Sequence, residues 1–162
     1  MLKRNLIRTF VLLAAGTVLL VEVSGVLAQQ KPTPNSRFGR WKMDQAAPAP
    51  QSNIMTYEPW GSGGMKITVA TVSAQGQKSE WSYETLFDGV FRTVTGQQGS
   101  ETAVEFINDH STRIQNKRNG KVNQVVINTL SDDGKTINNE YVRLDDNGKI
   151  MGVTHAVYRR IE

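Results

Sequence analysis

The chain has 162 residues, of which 38% are hydrophobic and 21% charged, a composition that supports one domain with a real core and argues against global disorder. The formal charge of +4 overstates how basic the chain is: Lys3, Arg4 and Arg8 lie in the first 28 residues against Glu22, and the other 16 basic and 14 acidic side chains nearly balance. Their scatter excludes a nucleic-acid partner as the expected one, and the densest cluster, Arg113, Lys117, Arg118 and Lys121, reads as the solvated tip of a hairpin. With no cysteine, disulfides, thiolate metal sites and cysteine nucleophiles are excluded together.

Residues 1–28 read as a signal peptide. Lys3, Arg4 and Arg8 make a positive start, Thr9 to Val21 form an apolar run of thirteen residues, and Val26-Leu27-Ala28 offers the small side chains that precede cleavage. The rival reading is a retained membrane anchor. It needs about 20 apolar residues and reaches that length here only by burying Glu22. Export to the periplasm or the medium is therefore expected, with no membrane association after cleavage. Residues 29–36, with Pro32 and Pro34, read as a flexible leader to a single domain over 37–162.

From Arg37 onward, turn signals recur every 10–14 residues, including Gln75-Gly76, Asp88-Gly89, Asn119-Gly120, Asp133-Gly134 and Asn147-Gly148. The segments between them suit strands. Ile67, Val69 and their neighbours alternate with polar residues, and Trp81, Tyr83, Thr85 and Phe87 share one face opposite Ser82, Glu84 and Asp88. No window shows a helical stripe. About ten strands are predicted, near 38–43, 53–60, 65–74, 79–87, 90–95, 102–107, 111–118, 121–131, 135–143 and 149–161. The fold class is all-β, an antiparallel up-and-down meander. An open sheet would leave two long edges, so closure into a barrel is expected, with a two-sheet sandwich as the alternative.

The first strand opens Phe38-Gly39-Arg40-Trp41-Lys42, and this Gly-x-Trp resembles the opening motif of the lipocalin and fatty-acid-binding-protein superfamily. Trp41 with its neighbours, Met55-Thr56-Tyr57-Glu58, Phe87-Asp88-Gly89 and Ser131 to Thr136 are together similar to a group of small exported bacterial proteins of unknown function. The resemblance implies a ten-stranded barrel whose apolar interior holds a small hydrophobic ligand. It also implies that Trp41 packs at the closed end under an arginine near the last strand, Arg159 or Arg160; the alternative is a plain core tryptophan with both arginines in water. Fatty-acid-binding proteins carry a helical pair between their first two strands, for which 44–51 is too short and too rich in proline.

Period-two alternation nominates Trp81, Tyr83 and Phe87 as cavity-lining residues, Met151, Val153, His155 and Val157 as a second inward face, and Tyr141 with Arg143 as a third. On an interior face Arg143 would clamp a ligand carboxylate. Whether these side chains line a cavity or fill a solid core is left open. His155 and His110 stand far apart in sequence without metal-ligand spacing, and no serine elbow or phosphate loop is present, so neither catalysis, a metal nor a cofactor is expected. The reading is a monomeric, exported, lipocalin-like barrel that binds a small apolar or amphipathic molecule. The rival is a packed module for protein interaction or envelope structure. A cavity of roughly 300 Å3 or more separates the two.

Overall fold

The computed structural model describes residues 35–44 and 51–162. The expected signal peptide and all but the last two residues of the expected leader lie outside the described residues.

Ten strands follow one another: β1 (Gly39–Met43), β2 (Ser52–Trp60), β3 (Gly64–Val72), β4 (Lys78–Thr85), β5 (Arg92–Thr93), β6 (Ser100–Phe106), β7 (Ser111–Arg118), β8 (Lys121–Leu130), β9 (Thr136–Leu144) and β10 (Ile150–Arg160). Consecutive strands other than β4 and β5 pair antiparallel through short turns, and β1 pairs with both β2 and β10. The result is one ten-stranded sheet in the order β4-β3-β2-β1-β10-β9-β8-β7-β6-β5, curled into a nearly closed barrel rather than split into two sheets. The two edge strands approach through an isolated bridge, in which Ser82 N donates to Thr95 O at 3.0 Å and Thr95 N to Ser82 O at 2.8 Å. This contact covers part of two edges that would otherwise offer unpaired backbone to other chains.

Local chemistry accounts for the turns. Between β7 and β8, Asn119 and Gly120 have φ of 51° and 80°, the left-handed pair that a two-residue hairpin turn requires. Gly39 explains the Gly-x-Trp opening. Its φ is +129°, and a Cβ there would lie 2.5 Å from the Glu162 carbonyl oxygen, so only glycine lets the C-terminal segment lie against β1.

The core concentrates at one end. Trp41, Met65, Leu130 and Ile137 are buried there, joined by Tyr57, Ile67 and Val104. Trp41 is fully enclosed and its indole N–H donates to the Arg37 carbonyl at 2.9 Å, so the polar handle of the ring is satisfied. Arg160, directly opposite Trp41 in the β1–β10 register, lies over the indole at 4.3 Å. Its guanidinium also donates to the carbonyls of Gly134 at 2.9 Å, Phe38 at 2.8 Å and Ser36. One side chain thus ties the segment before β1, the β8–β9 turn and the core tryptophan together. Of the two arginines nominated for this contact it is Arg160; Arg159 faces outward and pairs with Asp44 at 2.7 Å.

The inward face expected for β10 is corrected. Met151 and Val153 are 63% and 48% exposed, and His155 is exposed as well. The pairings Met43 with Tyr158 and Trp41 with Arg160 place Tyr158 and Arg160 on the inner side of β10, with Ala156 half-buried on the same parity. Thr154 and Ala156 accordingly face Tyr141 and Asn139 across the β9–β10 ladder. The physical reason is space: an inward Val153 and His155 would meet Tyr141 and Asn139 with larger side chains, whereas Thr154 and Ala156, which stand opposite them, are smaller.

Candidate functional site

Above the packed end the interior is hollow. A cavity of about 370 Å3 lies between two chemically different walls. On β2, β3 and β4 the inward residues are Met55, Tyr57, Ile67, Val69, Trp81 and Tyr83, and direct cross-strand pairing sets them in rows: Met55 beside Val69 beside Trp81, and Tyr57 beside Ile67 beside Tyr83. Trp81 and Tyr83, two residues apart on β4, stack with centroids 6.0 Å apart and planes 15° from parallel, giving a flat apolar surface. The facing wall, on β7, β8 and β9, carries Asn116, Gln124, Asn128, Asn139 and Tyr141.

The polar wall is ordered from beneath by Arg37, which is 2% exposed. Its Nε donates to Asn128 Oδ1 at 3.3 Å and its terminal nitrogen to the His110 carbonyl. A guanidinium has only donors, so it fixes which way the Asn128 amide points. The Asn128 amide nitrogen then donates to Asn139 Oδ1 at 2.7 Å and toward the Tyr57 hydroxyl at 3.4 Å. Asn139 in turn donates to the Tyr141 hydroxyl at 3.0 Å. Each member accepts from the side of Arg37 and donates away from it, so the chain has a single direction ending at a phenol on the cavity wall. A second chain runs nearer the rim, from Thr102 Oγ1 to Asn116 Oδ1 at 2.8 Å and from Asn116 Nδ2 to Gln124 Oε1 at 2.9 Å. Among the described residues no buried side-chain nitrogen or oxygen lacks a hydrogen-bond partner.

Burial shapes the electrostatics of this interior. It holds the hydroxyls of Tyr57, Tyr83 and Tyr158 well above the ordinary phenol value, with Arg37 partly opposing the effect at Tyr57. Burial likewise lowers the Arg37 guanidinium from its ordinary value, and Tyr57 works against that shift. Charge gathers instead at the rim, where Glu101, Lys117, Arg118 and Arg143 border the cavity with the exposed Gln97 and Asn123.

The nominated residues divide accordingly. Trp81, Tyr83, Tyr141 and Arg143 come together on this cavity. Phe87 does not: β4 ends at Thr85, and Phe87 occupies a turn at φ 59°, with its N–H bonded to Thr85 Oγ1 at 2.8 Å. Its ring stacks on Phe106 at 4.2 Å and borders a void of about 10 Å3 at the packed end, too small for a ligand. Val153 and His155 lie on the outer surface, for the reason of register given above. Sequence reasoning missed Arg37, Asn128 and Asn139. The signal for two of them was parity, because Asn128 alternates with Val126 and Leu130, and Asn139 with Ile137 and Tyr141. The apolar run Val125-Val126-Ile127 masked that alternation by filling both faces.

Among the described residues no group of three or more His, Cys, Asp or Glu is placed to hold a metal ion. No helix among them is long and apolar enough to cross a membrane.

No protein-family model matches the sequence, and no curated protein matches it. Solved structures do match the fold. A point variant of the fluorescent protein UnaG aligns with a TM-score of 0.54 at 13% identity, over 78% of this chain and 97% of UnaG. The Schistosoma mansoni fatty acid binding protein in complex with arachidonic acid aligns with a TM-score of 0.52 at 11% identity, over 79% of this chain and 98% of that protein. The fold is thus a barrel of the fatty-acid-binding-protein type. The eight residues between Met43 and Ser52 stand where such proteins were expected to carry two helices; 45–50 lie outside the described residues.

Proposed function

We propose that this protein is a non-catalytic carrier or receptor that binds one small apolar or amphipathic molecule inside its barrel. The observation that carries the reading is the cavity of about 370 Å3, within the size range of small-molecule sites, with an aromatic and aliphatic wall facing an ordered polar one. A filled interior would have favoured a packed interaction module. The apolar wall supplies affinity through burial, while the prearranged amides and phenols orient the ligand at little entropic cost. Trp81, Tyr83, Tyr141 and Arg143 are the contacts proposed from sequence and retained; Met55, Ile67, Val69, Asn128 and Asn139 join them. The fatty acid binding protein that shares this fold at low identity was solved with arachidonic acid, which supports a ligand of this general class.

The proposal extends to an exported monomer, periplasmic or secreted, freed of residues 1–28 and without nucleic-acid or membrane partners. That extension rests on the apolar run Thr9 to Val21 and the scattered charges.

Native mass spectrometry of the protein purified from its exporting host tests both parts. Expected is the mass of residues 29–162 plus a small molecule that is lost on denaturation. A protein that emerges without added mass and then takes up none of a panel of fatty acids, retinoids and other small apolar compounds overturns the binding function. An intact Met1 overturns the cleavage.

A further inference from the structure

Beyond the general binding of an apolar or amphipathic molecule, and resting on that reading, we infer that the ligand is an amphipathic anion. Its negative group is held at the cavity rim by Arg118 and Arg143, and its apolar body points inward.

The inference starts from how the arginines are used. Eight of them fall among the described residues, and six have partners. Arg40 pairs with Glu162, Arg92 with Asp88, Arg113 with Glu105 and Arg159 with Asp44. Arg37 bonds Asn128 and the His110 carbonyl, and Arg160 bonds three carbonyls over Trp41. Arg118 and Arg143 make no side-chain hydrogen bond or ion pair among the described residues, and these two line the cavity. The other described guanidinium groups are satisfied, while these two leave donors free at the cavity rim.

The surroundings support the same orientation. Arg143 faces inward on β9, opposite Gln124 and Gly152. Gly152 follows the bulge in β10, and its missing side chain leaves the Arg143 guanidinium lying across it, 3.7 Å from where a Cβ would stand. The wall beyond the rim is neutral: Asn116, Gln124, Asn128, Asn139 and the tyrosines contribute dipoles but no formal charge. Arg37 lies under this wall, with Asn128 between it and the cavity. An anionic group therefore gains most at the rim, where two cations meet it without first being dehydrated in a buried site. Among the described residues Glu101 is the one carboxylate on the cavity; Lys117, its direct partner across the β6–β7 ladder, stands beside it, with its ammonium over the Phe91 ring at 3.5 Å. The rim therefore keeps a net positive charge. Carboxylate and phosphate share the chemistry that a guanidinium recognises, and either suits the clasp.

The test measures displacement of the neutral fluorophore N-phenyl-1-naphthylamine by four twelve-carbon compounds: laurate, dodecyl phosphate, 1-dodecanol and dodecyltrimethylammonium. It uses the wild-type protein, the double variant R118Q/R143Q, and R113Q as a control for overall charge. Expected is that at least one anion binds wild type and R113Q about tenfold or more tighter than 1-dodecanol, with the cation weakest. In R118Q/R143Q that preference collapses while the affinity for 1-dodecanol stays the same. The tighter of laurate and dodecyl phosphate identifies the negative group. Equal binding of anions and alcohol by wild type, or an anion preference that survives the double substitution, overturns the clasp and leaves the binding cavity standing. Failure of the fluorophore and all four compounds to bind would overturn the carrier function, and the clasp with it. Both substituted residues have exposed side chains in short hairpins, and matching circular dichroism spectra verify that the variants are folded.

Discussion

The two ends of the barrel are built from the same alternating strands and do opposite things with them. At the packed end the inward positions hold Trp41, Met65, Leu130 and Ile137, and the cation there is spent on fixed carbonyls and an indole face. At the other end the inward positions pair an aromatic wall with a polar one, the space between stays open, and two guanidinium groups have no partner among the described residues. Stability and binding are therefore separated along one axis. The packed end can hold the sheet closed while the far end keeps unfilled volume, which costs contact energy that a bound molecule would restore.

The sharpest way to break this comparison is to make the same substitution at both ends. Trp41→Ala is expected to lower the free energy of unfolding by about 3–5 kcal/mol, because it leaves a large void and removes the platform under Arg160. Trp81→Ala is expected to cost far less, since that ring already borders open space, but to weaken binding of apolar ligands. Urea denaturation and probe titration of both variants measure the two effects. Equal losses of stability would mean that the ends are not distinct.

A smaller effect is expected at the layer between them. Asn128→Ala leaves Arg37 without its side-chain acceptor and Asn139 without its donor, at an expected cost of about 1–3 kcal/mol. Asn116→Ala, in the chain near the rim, should cost less because water can replace the lost bonds. Denaturation midpoints compare the pair.

The last test reads the interior by pH. Burial raises Tyr57, Tyr83 and Tyr158 above their ordinary value of 10.0, so the folded state keeps protons that the unfolded chain releases. The stability held by these hydroxyls is fully present below about pH 10 and is lost as pH rises from there toward the folded values. Absorbance at 295 nm should therefore show these three phenols ionising together with the loss of the far-ultraviolet sheet signal. Ionisation well ahead of unfolding would show that water reaches them.

How far the sequence could be read differs between architecture and site. All ten strands were legible to within two residues at each end, because turn dipeptides such as Asn119-Gly120 carry their own backbone requirement. Trp81 and Tyr83 were legible as interior because each alternates with polar neighbours, and Tyr141 was nominated because it shares a face with Arg143. Val153 and His155 were misassigned because β10 bears apolar residues on both faces, so its pattern has no preferred side. Phe87 continued a period that the chain itself ends at Thr85. Arg37 gave no periodic signal at all, since it precedes the first strand.

Strand number, meander order and hairpin turns were thus determined by local sequence, because they depend on conformational preferences within a few residues. The inward face of β10, the choice of Arg160 over Arg159 for Trp41, and the hollow between the two walls were decided only by the tertiary structure. Each depends on register between distant strands, and pairing β1 with β10 joins residues more than a hundred positions apart. A shift of one residue in that pairing would turn the outer surface of β10 inward and fill the cavity with it.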